Sequence, residues 1–362
     1  MFHNFILQKK EFSRSNLTPH SPMKALICTT PGKLEYQDKS NPEVNNGQAL
    51  LKIRRIGICG TDLHAFEGTQ PYFNYPRILG HELAAELIEG PEMEGFAIGD
   101  RVTFIPYYNC GYCIACRNGK TNCCENIKVC GVHTDGGMVE YLSVPANLLV
   151  RGHGLGYDAL ALVEPLAIGA HAIRRANIQK GEFVLVIGAG PIGIGIMEFA
   201  AIKGAQVIAM DTNENRLDFC KKNLDIKFTV NASSANASAK IKELTNGDWP
   251  EVVIDATGNV FAITNGFSYM SHGGRYVLVG LQKGDVCFSH PEFHKRESTL
   301  MSSRNATRED FEYVIRCIKE GLVDPTNYIT HRTSFDRVRD DFAGWLNPAS
   351  GVIKAVVEMA AD

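Results

Sequence analysis

The sequence predicts an α/β protein in which a doubly wound parallel sheet is joined to a second, mostly-β domain. Three observations predict it. The chain, at 362 residues, is too long for one ordinary core. Its first half consists of short apolar runs broken by Gly, Pro and Asn, and its second half alternates apolar strands with helices. Apolar residues make up 44% and charged residues 21%, a mix that suits a packed globule.

Composition also excludes some functions. A formal charge of −3 argues against a nucleic-acid partner, whose phosphates call for a basic surface. No apolar run is long enough to span a bilayer, so no membrane partner is expected. Of the 11 cysteines, five crowd between Cys110 and Cys124, which suggests metal-bound thiolates in a reducing, cytoplasmic compartment. Phe5-Ile6-Leu7 is too short for the core of a secretory signal. Residues 1–22 are expected to be a disordered or artefactual extension, with Met23 opening the first strand.

Ala49–Ile53, Glu86–Ile88, Arg101–Ile105 and Tyr141–Val144 are expected strands separated by long loops. The texture changes at Glu164-Pro165, where Pro165 suits the first turn of a helix. Strands are then expected at Phe183–Ile187, Gln206–Met210, Lys227–Val230, Val252–Asp255 and Tyr276–Val279. Helices are expected at Ile192–Lys203, Glu214–Asn223 and Ala237–Thr245. Such continuous apolar strands indicate a parallel sheet covered on both faces. An amphipathic helix over Glu309–Glu320 and a last strand near Val352–Glu358 complete the chain.

Gly188-Ala189-Gly190-Pro191-Ile192-Gly193 is a G-x-G-x-x-G that follows an apolar strand and opens a helix. The glycines permit a tight turn and close approach to a pyrophosphate, which then sits at the helix N-terminus. Asp211 lies 18 residues beyond Gly193, at the end of the next strand, where a carboxylate accepts from a ribose and repels a 2′-phosphate. NAD is therefore expected over NADP, although Arg216 lies near enough in sequence to meet an extra phosphate.

Two cysteine-containing sites are expected. Cys110, Cys113, Cys116 and Cys124 offer four thiolates and no opening for water, the pattern of a closed structural zinc site; Cys123 competes as the fourth ligand. Cys59, His81, Glu82 and Glu164 offer one thiolate, one imidazole and a carboxylate, the composition of a catalytic zinc with an open position. His81 and Glu82 are neighbours, and neighbours on a strand point to opposite faces, so both can ligate only if the backbone bends there. The third ligand is thus Glu82 or Glu164, the other carboxylate facing the reacting hydroxyl.

With these features in order, the sequence resembles the medium-chain zinc alcohol dehydrogenase superfamily from about Met23 onward. The resemblance implies a GroES-like catalytic domain over residues 23–167, a Rossmann-type NAD domain over 168–303 and a return to the catalytic domain over 304–362. It selects Cys124 over Cys123, and implies two zinc ions per subunit, NAD, and a homodimer or homotetramer. The sequence is most similar to the polyol, threonine and sugar-acid branch, in which Glu164 contacts the reacting centre and Arg304 reaches a substrate hydroxyl. Asn305 departs from the tyrosine of the animal polyol enzymes. The stretches 69–73, 131–137 and 303–307 look closest to bacterial hexonate dehydrogenases that act on L-galactonate. The substrate implied is a small polar alcohol, a sugar acid or polyol, with Arg304 and His133 as charge partners of a carboxylate.

On this reading a secondary hydroxyl loses its proton through Thr61 and His64, and hydride passes to the nicotinamide, whose carboxamide side Gly280 helps hold. L-Threonine dehydrogenation and sorbitol- or butanediol-type oxidation are the rival activities; Arg304 disfavours the first because an ammonium substrate would want an acidic partner. A non-catalytic NAD-sensing protein is the remaining alternative.

Overall fold

A computed structural model describes residues 22–71 and 73–360. The expected extension lies outside them except for Pro22, which belongs to the first strand because its ladder with Lys33–Ser40 runs out to the pair Pro22–Ser40.

The first half is built on a seven-stranded sheet whose spine is the strand Gln48–Ile58. On one side it pairs antiparallel with Glu82–Glu89, which leads on to Arg101–Phe104 and Leu149–Arg151. On its other side it pairs antiparallel with Lys354–Glu358, itself parallel to Ile329–Ser334. Tyr141–Pro145 pairs with the opening half of the spine strand. The pairs Gly57–Glu82 and Ile58–Ala355 bring Cys59, Glu82 and Lys354 to the same end of this sheet.

The second sheet has six parallel strands in the order Phe228–Asn231, Gln206–Asp211, Phe183–Ile187, Val252–Asp255, Arg275–Leu278, Thr299–Ser302. The order reverses between Phe183–Ile187 and Val252–Asp255, and a crevice opens beyond the carboxyl ends at such a switch point. Val184, Val186, Val252 and Ile254 pack with Leu166, Ala170 and Ile173 of the helix Val163–Ala176 on one face. Leu185, Ile187, Ile208 and Val253 pack on the other. Burial on both faces is why these strands read as unbroken apolar runs.

The helix Val163–Ala176 joins the two halves, since Ala84, Ile105 and Tyr107 of the first half share its apolar cluster. Helices Gly60–Glu67, Val260–Gly266 and His290–Lys295 and the edge strand Thr299–Ser302 add to the expected set. Among the described residues no helix is long and apolar enough to cross a membrane.

Candidate active site

The strand ends gather a thiol, an imidazole and a carboxylate. Ligand atoms of Cys59, His81 and Glu82 all lie within 4.8 Å of one another. The required bend falls at Gly80, whose φ of 95° is left-handed, so His81 stands just before the strand that begins at Glu82. Gly131 and Gly136 pack against Gly80: a Cβ on Gly136 would lie 2.4 Å from the Gly80 carbonyl oxygen. Asp62, fully buried on the helix that follows Cys59, accepts from the Cys59 N–H at 2.9 Å and the Gly80 N–H at 3.1 Å. One carboxylate thereby ties the thiol's backbone to the bend, with its Oδ1 3.8 Å from His81 Nδ1.

Glu82 is also fully buried, and both its oxygens lie 2.7 Å from Lys354 Nζ. Gly57 makes room for it, because a Cβ there would fall 2.1 Å from Glu82 Oε2. Glu164, in the first turn of Val163–Ala176, accepts from the buried Tyr107 hydroxyl through Oε1. Its Oε2 is buried without a partner, as is His81 Nδ1. Burial pushes Glu164 up to about 7, with the charge of Glu82 adding to the effect. Burial opposes charge on His81, yet Cys59, Asp62 and Glu164 hold its pKa well above the ordinary value. The pocket therefore attracts positive charge, offers unpartnered buried donor atoms, and presents the N, S and O ligands zinc takes; these residues fit a divalent metal.

The four-cysteine lobe leaves the short ladder between Tyr107–Tyr108 and Lys128–Val129. Sulfurs of Cys110, Cys113, Cys116 and Cys124 lie within 4.8 Å of one another, whereas Cys123 is exposed outside the group. The Cys110 N–H donates to Cys124 Sγ at 3.2 Å. Burial works to raise the Cys110 thiol, and backbone donors at Tyr112 and Cys113 outweigh it, bringing it down to about 6. Four converging sulfurs fit a closed metal site.

In the glycine turn, Gly188 has φ 103°, and a Cβ on Gly193 would lie 1.8 Å from the Gly188 carbonyl oxygen. Gly190 precedes the helix Pro191–Ile202, with Pro191 in its first turn and Ile192 next. This is the tight strand-to-helix turn onto which a pyrophosphate fits. Asp211 ends its strand and accepts from the N–H groups of Ala189 at 2.7 Å and Asn213 at 2.8 Å. Arg216 approaches Asp211 Oδ2 to 4.0 Å. Gly280, just past Arg275–Leu278, meets the backbone of Gly258, where a Cβ would fall 2.1 Å from its nitrogen.

Thr61 and His64 lie three apart on the helix Gly60–Glu67, and so on neighbouring faces. His64 is exposed, its Nδ1 3.2 Å from Thr69 Oγ1 and 3.4 Å from Glu67 Oε2. Arg304 follows the edge strand and is exposed. His133 accepts the Val129 N–H at Nδ1, 3.1 Å away; burial lowers its pKa, and the charges of Arg304 and Arg77 lower it further.

Sequence reasoning missed Asp62, Tyr107 and Lys354. Signals existed for two of them. Asp62 stands three residues after Cys59, at a capping position of an unrecognised helix. Lys354 interrupts the apolar run from Val352 to Val357. Tyr107 carries no pattern that distinguishes it from Tyr108.

The chain belongs to the zinc-dependent medium-chain alcohol dehydrogenase family. Residues 45–153 match the alcohol dehydrogenase GroES-like domain, and residues 191–320 the zinc-binding dehydrogenase domain. L-Galactonate-5-dehydrogenase of Escherichia coli is 44% identical over 93% of this chain and 99% of its own. The alcohol dehydrogenase RspB of Escherichia coli CFT073, solved with NADH, superposes with a TM-score of 0.87 at 28% identity, covering 93% of this chain and 99% of its own. A zinc-binding dehydrogenase of Sinorhizobium meliloti, solved with NADP, gives 0.86 at 27% identity over 94% and 100%. The expected fold class, a Rossmann-type parallel sheet with a GroES-like domain, is thereby borne out. The protein is a zinc-dependent oxidoreductase of CH–OH groups that uses NAD(P) and takes a small alcohol as substrate.

Proposed function

We propose that the protein oxidises a secondary hydroxyl of a sugar acid to a ketone with NAD, L-galactonate oxidised at C5 being the first candidate. The observation that carries this reading is the gathering of Cys59, His81 and Glu82 beside Glu164, a carboxylate with an unpartnered oxygen. Cys59, His81 and Glu82 would hold the catalytic zinc, and Cys110, Cys113, Cys116 and Cys124 the structural one. When bound, the catalytic metal supplies a Lewis acid that lowers the pKa of a hydroxyl placed at its open position.

The chain's own residues do the rest. Asp62 fixes the Cys59 backbone and the Gly80 turn that carries His81. Tyr107 orients Glu164, whose free Oε2 receives the substrate hydroxyl. Thr61 and His64 carry the released proton to solvent, which the exposure of His64 allows. Gly188, Gly190, Pro191, Ile192 and Gly193 cradle the pyrophosphate, Asp211 takes the ribose with Arg216 at its edge, and Gly280 borders the nicotinamide. The positive charges of Arg304 and Arg77 around His133 favour a carboxylate-bearing substrate over an ammonium-bearing one. Residues 23–167 and 304–362 form the catalytic domain and 168–303 the NAD domain of a cytoplasmic homodimer or homotetramer.

NADH formation by purified, zinc-loaded protein against hexonates, neutral polyols and L-threonine tests the reading. Turnover of a hexonate above the other two classes is expected; turnover of L-threonine alone would overturn it. Cys59→Ala should abolish turnover while NAD still binds.

A further inference from the structure

Two turns beyond Glu164 on the helix Val163–Ala176 stands His171, and seven residues return to nearly the same helical face. His171 is 5% exposed and is bonded through both ring nitrogens. Nδ1 lies 2.9 Å from Asp310 Oδ2, and Nε2 lies 3.1 Å from Asn122 Nδ2. Asn122 sits inside the four-cysteine lobe, two residues before Cys124, and is 3% exposed. Its other amide proton goes to the backbone oxygen of Arg304 at 2.9 Å. Asn305 Nδ2 returns a bond to the Asn122 backbone oxygen at 3.3 Å. Asn305 has φ 54°, a left-handed turn immediately after Arg304.

We infer that Asn122 and His171 are positioning residues, a clasp that fixes the Arg304–Asn305 corner against the four-cysteine lobe. The charge chemistry of the cluster decides how it works. Asp310 accepts from Arg174 at 2.8 and 2.9 Å and from the Thr307 N–H and hydroxyl at 2.8 Å each. An ionised carboxylate only accepts, so His171 Nδ1 must carry the proton. The Arg304 carbonyl oxygen can only accept, so the Asn122 amide nitrogen faces it, and Nε2, 3.1 Å from that same nitrogen, faces a donor. Nε2 is left as a lone-pair acceptor, which leaves the Asn122 amide one correct orientation: nitrogen towards both His171 and Arg304. The corner is thus set by a tautomer, relayed from the helix that also carries Glu164. Two groups meant for one substrate are thereby indexed to the same helix.

The link to catalysis rests on the reading that Arg304 contacts substrate, so the test separates the two. Trypsin cleaves after arginine, and the clasp holds the carbonyl of the Arg304–Asn305 bond itself. Timed digestion of zinc-loaded protein with mass spectrometry should find that bond protected in the wild type. It should open at least about tenfold faster in Asn122→Asp, which swaps a donor for an acceptor, and in His171→Leu. His171→Gln, which can still donate to Asp310 and accept from Asn122, should restore protection. Zinc content and far-UV circular dichroism identify any variant that has lost its fold, and His171→Gln keeps the test decisive if His171→Leu has. Equal cleavage in all four proteins overturns the clasp. With L-galactonate as probe, Asn122→Asp and Arg304→Ala should both raise KM with kcat changed less. A raised KM in Arg304→Ala alone overturns the positioning role. An unchanged KM in both, with the bond opened, sinks the substrate reading of Arg304 and leaves the clasp standing.

Discussion

Lys354 places its ammonium 2.7 Å from both oxygens of Glu82, in a pair whose side chains are 2% and 0% exposed. The same ammonium donates to the Ile58 carbonyl at 3.1 Å, one residue before Cys59. Burial disfavours a charged lysine, but Glu82 and its anionic neighbours hold the Lys354 pKa above the ordinary value. Lys354→Met strips a buried carboxylate of its counter-charge, a change that costs about 3–5 kcal/mol. The loss should be largest in zinc-free protein, because a metal against Glu82 replaces part of the missing charge. Thermal melts with and without zinc check this; an equal loss in both would show that the metal does not reach Glu82.

Metal counting distinguishes the adjacent lobe cysteines. Cys124→Ser should leave one zinc per chain and loosen the lobe, since the closed site loses a ligand. Cys123→Ser should keep two, as Cys123 is exposed outside the sulfur cluster. Atomic absorption on dialysed protein reads the difference.

Asp211 is bonded to the Ala189 amide, so its carboxylate is held against the glycine turn. Asp211→Ser should raise NADP use relative to NAD by at least about tenfold, the charge repulsion being gone while Arg216 remains. The ratio of kcat/KM for the two cofactors measures it, and an unmoved ratio would remove the ribose assignment.

Glu198, on the helix Pro191–Ile202, has a buried oxygen without a partner; burial, with the charge of Asp324, raises it from 4.5 to about 8. The folded state therefore holds a proton that the unfolded state releases, and stability falls as pH rises from about 4.5 to about 8. Glu198→Gln keeps the shape and removes the titration. Its Tm should exceed that of the wild type above pH 8 and match it below pH 4.5. A parallel pair of Tm–pH curves would contradict the burial argument.

The central strands Phe183–Ile187, Gln206–Asp211 and Val252–Asp255 were legible because they are buried on both faces. The edge strand Thr299–Ser302 escaped notice because its Leu300 is exposed and nothing alternates cleanly around it. The helix Gly60–Glu67 escaped because it buries only Asp62, Ala65 and Phe66. At the site, the spacing of Cys110, Cys113 and Cys116 and of the glycines was readable because those ligands and turns are local in sequence.

By itself the sequence determined the family; the four-cysteine lobe and the dinucleotide turn were legible as expectations because they depend on residue type at short spacing. It left Glu82 and Glu164 as equals. The tertiary structure gives them different partners, and the reason is long-range pairing. Lys354, 272 positions from Glu82, arrives by a strand ladder, while Tyr107 reaches Glu164 through the packed core. Side chains brought together by sheet register leave no periodic trace in the chain that carries them.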